Sequence, residues 1–332
     1  MMAAPIRIGV LKLADSAPVI MSRQKGVFAR HGLEAEIVVS PSWANIADGL
    51  AWNHLDAAVL FAPLALMTML GRRGHDTALH PLGRISRGGN TIMFRGANPA
   101  EGVWQSGTEG RRMFDVWQAS IGRKPRIAVV HIYSTHILIL RRFLKMIDVD
   151  MDREIEILVM PPTDMISAFS KKEIEGCCVG APWGMEAERI GLAFCVGGSS
   201  TVLPEHIEKM LVVSDALFNR TDIAQRMFSA MQESLLFCAA PEHREEITEA
   251  LSLPVSEGGL SLPPEATFRI LPGGSAQETL GFASGRVQFR DIEWVMNDMT
   301  ALGWLGRDEC RKLAFWADPP EASPAHLRAP SL

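Results

Sequence analysis

The sequence predicts an α/β fold built on open, parallel sheet, and three observations carry that expectation. Short apolar runs of strand length alternate with longer segments of helical periodicity, the order produced by parallel strands joined through right-handed crossovers. Serines suited to helix capping (Ser42, Ser134 and Ser214) follow several of the apolar runs. The 332 residues are 47% apolar and 21% charged, enough to bury the cores of one or two domains and too apolar for a chain disordered throughout.

Taken in order, Ile6–Leu13 is a short apolar strand. Pro18–Arg30 carries helical periodicity through Ile20, Val27 and Phe28 and stops near Gly32. Glu34–Val39 alternates and reads as a second strand. Ser42 caps a helix over Trp43–Trp52, and Ala57–Phe61 forms a third, buried strand. The style then repeats. Arg126–Val130 is a strand, Ser134 caps a helix running to about Met146, Ile155–Val159 is a strand, Asp164–Lys171 a helix, and Gly176–Val179 a further buried strand. Lys209–Val213 is a strand again, followed by the capping residue Ser214 and a long helical region, Ile223–Cys238. The tail from Pro319 to Leu332 is rich in Pro, Ala and Ser and reads as loose. The residues alone describe two α/β units in series. Open parallel sheets bind ligands beyond the carboxyl ends of their strands, so the chemistry is to be sought just after each strand.

Composition narrows the function. Lys and Arg number 33 against 38 Asp and Glu, a net charge of −5, so a basic stripe for direct nucleic-acid binding is not expected. At the N-terminus Arg7, Lys12 and Asp15 interrupt the roughly 7–15-residue apolar stretch that a secretory leader needs, which predicts a cytoplasmic location. The longest apolar run, Ala57–Gly71, is broken by Pro63 and falls short of the ~18 residues of a membrane span. The cysteines are Cys177, Cys178, Cys195, Cys238 and Cys310, without a C-x-x-C pair. They read as reduced thiols, and no metal or cofactor is expected.

The stretch QKGVFARHGLEAEIVVSPSWANIADGLAWNHLDAAVLFAPLAL resembles the substrate-binding proteins of nitrate, bicarbonate and sulfonate importers. KG-x-F-x3-GL marks the wide superfamily; SWANIADGL followed by LDAA and a Pro-containing helix is similar to the nitrate and bicarbonate branch. STHILILRRFL, VMPPTDMISAFSKKEIEGCCVGAPW and PEHIEKMLVVS agree, in the family's order, over about residues 5–235. The resemblance implies a two-domain, type II periplasmic-binding-protein-like clamshell whose chain crosses twice between lobes. Domain I would then combine 1–90 with 205–332, and domain II would be 91–204, in place of the serial reading. It also implies the ligand groups: Trp43 in SWAN, Asn90 in RGGNTIM, His136 in YSTHIL, the backbone of Gly180 in VGAPW, and Lys209 in PEHIEK. In bicarbonate binders the last position resembles a glutamate that works with a metal ion, so lysine favours a bare monovalent anion, nitrate or nitrite. Two departures stand out. Asn90 is shorter than the usual glutamine, and Ala181 replaces the acid of V-G-E-P-W.

The residue types suit such an anion. Nitrate is planar, singly charged and without a proton to donate, so its site needs donors and positive potential. Two unit charges ~4 Å apart attract by about 1 kcal/mol in water and about 4 kcal/mol at an effective dielectric of 20, which closure of two lobes over Lys209 approaches. His136 near a helix start, the amide of Asn90 and the indole N–H of Trp43 supply donors. A positively charged crevice is therefore expected, with Lys209→Glu abolishing binding. His131, between a strand and a helix, is a secondary candidate.

Without a leader, the resemblance points to the family's cytoplasmic branch, the nitrate sensors of nitrate-assimilation operons (the NasS type). As the resemblance implies, such a sensor holds an RNA-binding antiterminator (a NasT-type ANTAR response regulator) and releases it when nitrate or nitrite binds. The alternative is the solute-binding subunit of an ABC-type nitrate importer. An enzyme is not expected: superfamily members that make the pyrimidine of thiamine use pyridoxal phosphate and an active-site histidine, and no matching lysine or cysteine motif is present.

Overall fold

The computed structural model describes residues 4–72, 74–313 and 316; the tail read as loose lies outside the described residues. Among these the chain forms eleven strands: β1 (Ile6–Val10), β2 (Ala35–Val39), β3 (Ala57–Leu60), β4 (Leu79–Gly88), β5 (Thr91–Arg95), β6 (Arg126–Val129), β7 (Glu156–Val159), β8 (Gly176–Val179), β9 (Ala193–Gly198), β10 (Ile207–Ser214) and β11 (Leu280–Phe282). They make two sheets. One has six strands in the order β11-β4-β10-β3-β1-β2, the other five in the order β7-β6-β8-β5-β9.

The sheets are mixed, which corrects the expectation of parallel ones. β1 pairs in parallel with β2 and β3, and β6 with β7 and β8; helices connect these strands, as parallel pairing requires. β10 runs against both its neighbours, β3 and β4, and β5 runs against both of its own, β8 and β9. Both reversed strands arrive from the other sheet, so no helical crossover dictates their direction. β11 pairs antiparallel with the end of β4.

The chain thus passes from the first sheet to the second through Gly89–Asn90 and returns over residues 199–206. The outward turn uses left-handed backbone at Gly88 (φ 63°) and Gly89 (φ 79°), a conformation glycine adopts without a Cβ clash. The two crossings lie side by side. Ser199 N donates to Asn90 O at 3.0 Å, and Asn90 N donates to Ser199 Oγ at 3.3 Å. Glu278, just before β11, accepts from Gly89 N at 3.1 Å and from Ser200 N at 3.0 Å, tying both crossings to the first sheet.

The helix expected over Pro18–Arg30 is two, Ala17–Gln24 and Val27–Arg30, separated where Gly26 takes φ 65°. The three serine caps form as the sequence suggests. Ser42, Ser134 and Ser214 each accept a hydrogen bond through Oγ from the backbone N–H three residues on, at 3.3 Å. The Ser134 cap starts the buried helix Thr135–Met146, which carries His136 in its first turn. Ser134→Ala removes that acceptor and is expected to cost about 1 kcal/mol in a urea unfolding titration; an unchanged midpoint would show the cap to be idle.

Candidate functional site

All five residues singled out from the sequence meet at the seam between the sheets. Trp43 opens the helix Trp43–Ala51 behind its Ser42 cap, and its buried indole packs on Phe61 with ring centroids 4.5 Å apart. Phe61 in turn lies 5.9 Å from the His136 ring. Lys209 reaches from β10 so that Nζ stands 5.4 Å from the Trp43 ring and 5.5 Å from the Phe61 ring, within cation–π range of both. Gly180, the residue after β8, lies between the other two: a Cβ placed on it would stand 3.5 Å from His136 Nε2 and 3.6 Å from Asn90 Oδ1.

The polar atoms of this group share one property. Trp43 Nε1, both amide atoms of Asn90, both ring nitrogens of His136 and Asp15 Oδ1 are buried and have no hydrogen-bond partner. Native proteins satisfy the great majority of such atoms, because each costs about 1–3 kcal/mol when left unmade. These six atoms, on four side chains at one seam, are exceptions to that rule.

Reasoning from the sequence missed two charged groups here. Glu208 and Asp15 are buried beside Lys209, whose Nζ lies 2.7 Å from Glu208 Oε1 and 3.2 Å from Asp15 Oδ2. Adjacent strand residues ordinarily point to opposite faces. β10 has register shifts on both sides of Lys209, and this bulge turns Glu208 and Lys209 toward each other. Glu208 also accepts from Thr135 Oγ1 and, at 3.0 Å, from His206 Nε2. The other nitrogen of His206, Nδ1, faces Leu203 O at 2.8 Å.

The seam is therefore not the positive crevice expected: the Lys209 ammonium stands against two carboxyl groups. Burial raises the Asp15 carboxyl, and the neighbouring ammonium offsets this only in part. Burial pushes Glu208 the same way, but Lys209, His206 and His136 outweigh it and hold this carboxyl well below the usual range. Burial pulls the Lys209 ammonium down, and the attraction of Asp15 and Glu208 carries it above its ordinary value. His136 is pulled down to about 3, chiefly by burial, with Glu208 opposing, and is neutral at physiological pH.

Hydrogen bonds link the segment after β1 to the segment after β8 beside this seam. Ala14 N donates to Ala181 O at 2.9 Å, and Trp183 Nε1 donates to Lys12 O at 2.8 Å. At the rim, Lys12, Ser40 and Pro41 face Pro161–Asp164 across a cleft of about 540 Å³. His131, the secondary candidate, accepts from Tyr133 N through Nδ1 at 3.0 Å in the loop before the helix. Cys177, Cys178, Cys195 and Cys238 are buried free thiols, raised by burial. Among the described residues no group of three or more His, Cys, Asp or Glu is arranged to hold a metal ion. No helix among them is long and apolar enough to cross a membrane.

Two mixed sheets joined by a double crossing, with buried polar side chains at the seam, define an α/β, periplasmic-binding-protein-like fold. It is shared with the periplasmic nitrate-binding protein NrtA from Synechocystis PCC 6803 (TM-score 0.82, 21% identity, 93% of this chain and 84% of that one) and, at TM-score 0.69 and 16% identity over 92% and 96%, with the alkanesulfonate-binding protein SsuA from Xanthomonas axonopodis pv. citri bound to MOPS. The chain belongs to the NMT1-like family, whose sequence profile matches residues 2–252. Among curated relatives it is 29% identical over 255 residues to the nitrate import ATP-binding protein NrtC of Synechocystis sp. (strain ATCC 27184 / PCC 6803 / Kazusa), and 30% over 250 residues to the bicarbonate transport ATP-binding protein CmpC of Synechococcus elongatus (strain ATCC 33912 / PCC 7942 / FACHB-805). Each match takes in 74% of this chain and 37% of the relative's length. The nitrate/nitrite binding protein NrtA of the same Synechococcus elongatus strain is 25% identical over 253 residues, 74% of this chain and 57% of that one.

Proposed function

We propose that this chain binds nitrate or nitrite between Trp43, Asn90, His136, the Gly180 backbone and Lys209, as a binding protein rather than an enzyme. The lobes would be 1–90 with 205–332, and 91–204. The observation that carries the reading is the set of unpartnered buried atoms on Trp43, Asn90 and His136 around the Lys209 ammonium. Relatives named for nitrate support it.

The lysine alone does not separate nitrate from bicarbonate, because the β10 bulge brings Glu208 into the same pocket. Calorimetric titration with sodium nitrate, sodium nitrite and sodium bicarbonate tests the choice. Binding of the first two below millimolar is expected; no heat from either would sink the reading. Gly180→Ala sharpens the test. Its methyl meets Leu13, His136 and Asn90 at 3.4, 3.5 and 3.6 Å, ordinary contact distances. Stability should move by no more than about 0.5 kcal/mol. Nitrate affinity should fall at least tenfold, since the methyl takes up space between the two polar side chains.

In the cell, the reading is of a cytoplasmic sensor that holds a NasT-type antiterminator while its pocket is open and releases it on anion binding. An anion that prefers the closed form shifts the population only by its differential affinity, and a partner preferring the open form opposes it reciprocally. A pull-down from nitrate-starved cells should recover one small RNA-binding protein that added nitrate displaces. The relatives named for import favour a second reading, the solute-binding part of an ABC-type importer. Recovery of the protein outside the cytoplasm on fractionation, with no such partner, would establish that one instead.

A further inference from the structure

The two carboxylates beside Lys209 are held unequally. Glu208 accepts from Lys209 Nζ, His206 Nε2 and Thr135 Oγ1. Asp15 has the Lys209 contact, 3.2 Å from Oδ2, and its buried Oδ1 has no hydrogen-bond partner. Before any ligand arrives, one ammonium, Lys209, faces two carboxyl groups, Asp15 and Glu208. An incoming monoanion competes with Asp15 for the same ammonium and adds a negative charge beside a buried carboxylate.

We propose that the pocket takes up one proton with each anion it binds, and that Asp15 receives it. This rests on the anion-binding reading above. The balance is simple: one anion and one solvent proton enter, an O–H bond forms on the Asp15 carboxyl, and nothing is oxidised or reduced. The step does two things. It frees the Lys209 ammonium from Asp15 so that it can face the anion, and it turns an unsatisfied acceptor, Oδ1, into a donor. The pocket's other titratable groups serve less well. Glu208 is stabilised in its charged form by three donors. His206 already faces two acceptors. His136 lies 3.9 Å from Glu208 through Nδ1 but is fully buried, which favours the neutral ring. Burial also raises the Asp15 carboxyl, in the direction the step needs.

Nitrate binding measured by calorimetry in two buffers of different ionisation enthalpy, neither a sulfonate, counts the protons. Sodium nitrate at pH 7–8 should draw in close to one proton per site, and the wild-type Kd should rise up to tenfold per pH unit above that range. Asp15→Asn, neutral at every pH, should bind nitrate with no proton uptake and a flat pH profile, and more tightly than the wild type at pH 8.5. Measurable nitrate binding with no proton uptake by the wild type between pH 6 and 9 overturns the proposal and leaves anion binding intact. So does uptake that persists in Asp15→Asn. Should the variant not fold, the wild-type count decides by itself. No nitrate heat at any pH overturns the anion-binding reading and this inference with it.

Discussion

Lys209→Met is expected to abolish nitrate binding and to cost about 3–5 kcal/mol of stability at pH 7, the cost of leaving a buried charge without its partner. Methionine matches the length and apolar stem of lysine, so the packing on Trp43 and Phe61 survives and only the ammonium is lost. That ammonium is buried, 2.7 Å from one carboxylate and 3.2 Å from another. At ~4 Å and an effective dielectric of 20 each such pair is worth about 4 kcal/mol before desolvation is counted. Without it, the main group opposing burial at Asp15 is gone, and that carboxyl rises further above its unfolded-chain value. Stability from groups shifted upward is fully present below the unfolded pKa and lost as pH rises through the folded one. The variant should therefore regain stability relative to wild type as pH falls from 7 to 4. Urea titrations across that range, with nitrate calorimetry at each pH, measure both effects. A variant as stable as the wild type at pH 7 would show that Lys209 offsets no buried charge. Lys209→Glu puts a third carboxylate in the pocket and should be worse on both counts.

The parts of this fold legible in the sequence are those where local chemistry and tertiary structure agree. β1, β2, β3, β6 and β8 are short apolar runs, each followed by a helix, and two of those helices begin at a serine that does cap. β4 carries Pro81 and Gly83 and pairs through bulges, so its residues do not show a strand's alternation. β5 follows the Gly88-Gly89 turn, and its reversed direction depends on a crossing that periodicity does not show. The positions of Trp43, Asn90, His136, Gly180 and Lys209 came from motif resemblance, and the structure gathers them at one seam. Glu208 was visible as a charged neighbour of Lys209 in an otherwise apolar strand, but strand alternation sends neighbours to opposite faces and only the bulge unites them. Asp15 read as an interruption of an apolar run; nothing nearby in sequence says that residue 209 will stand beside it.

His136 makes the fold sensitive to acid. Its ring is fully buried, and its pKa falls from the ordinary 6.5 to about 3. A base whose folded pKa is depressed contributes stability that is complete above its unfolded pKa and lost as pH falls toward the folded value. The window therefore opens at pH 6.5 and closes near pH 3. At about 1.4 kcal/mol per unit, roughly 2 kcal/mol is lost by pH 5, and on the order of 5 kcal/mol over the whole window. Asp15, raised by burial, acts with the opposite sign and gains as pH falls, so the wild-type curve mixes the two. His136→Gln separates them. Glutamine fills a similar volume and does not titrate, so the variant should lack the loss between pH 6.5 and 5 that the wild type shows in urea titrations. Parallel curves for the two proteins would mean that the ring charges at no cost, which full burial without a hydrogen-bond partner does not allow. The same neutrality fixes the part the ring plays toward an anion. It brings one N–H and no charge, so affinity should depend on Lys209 for attraction and on His136 for geometry. His136→Gln, which keeps an N–H donor, should weaken nitrate far less than Lys209→Met.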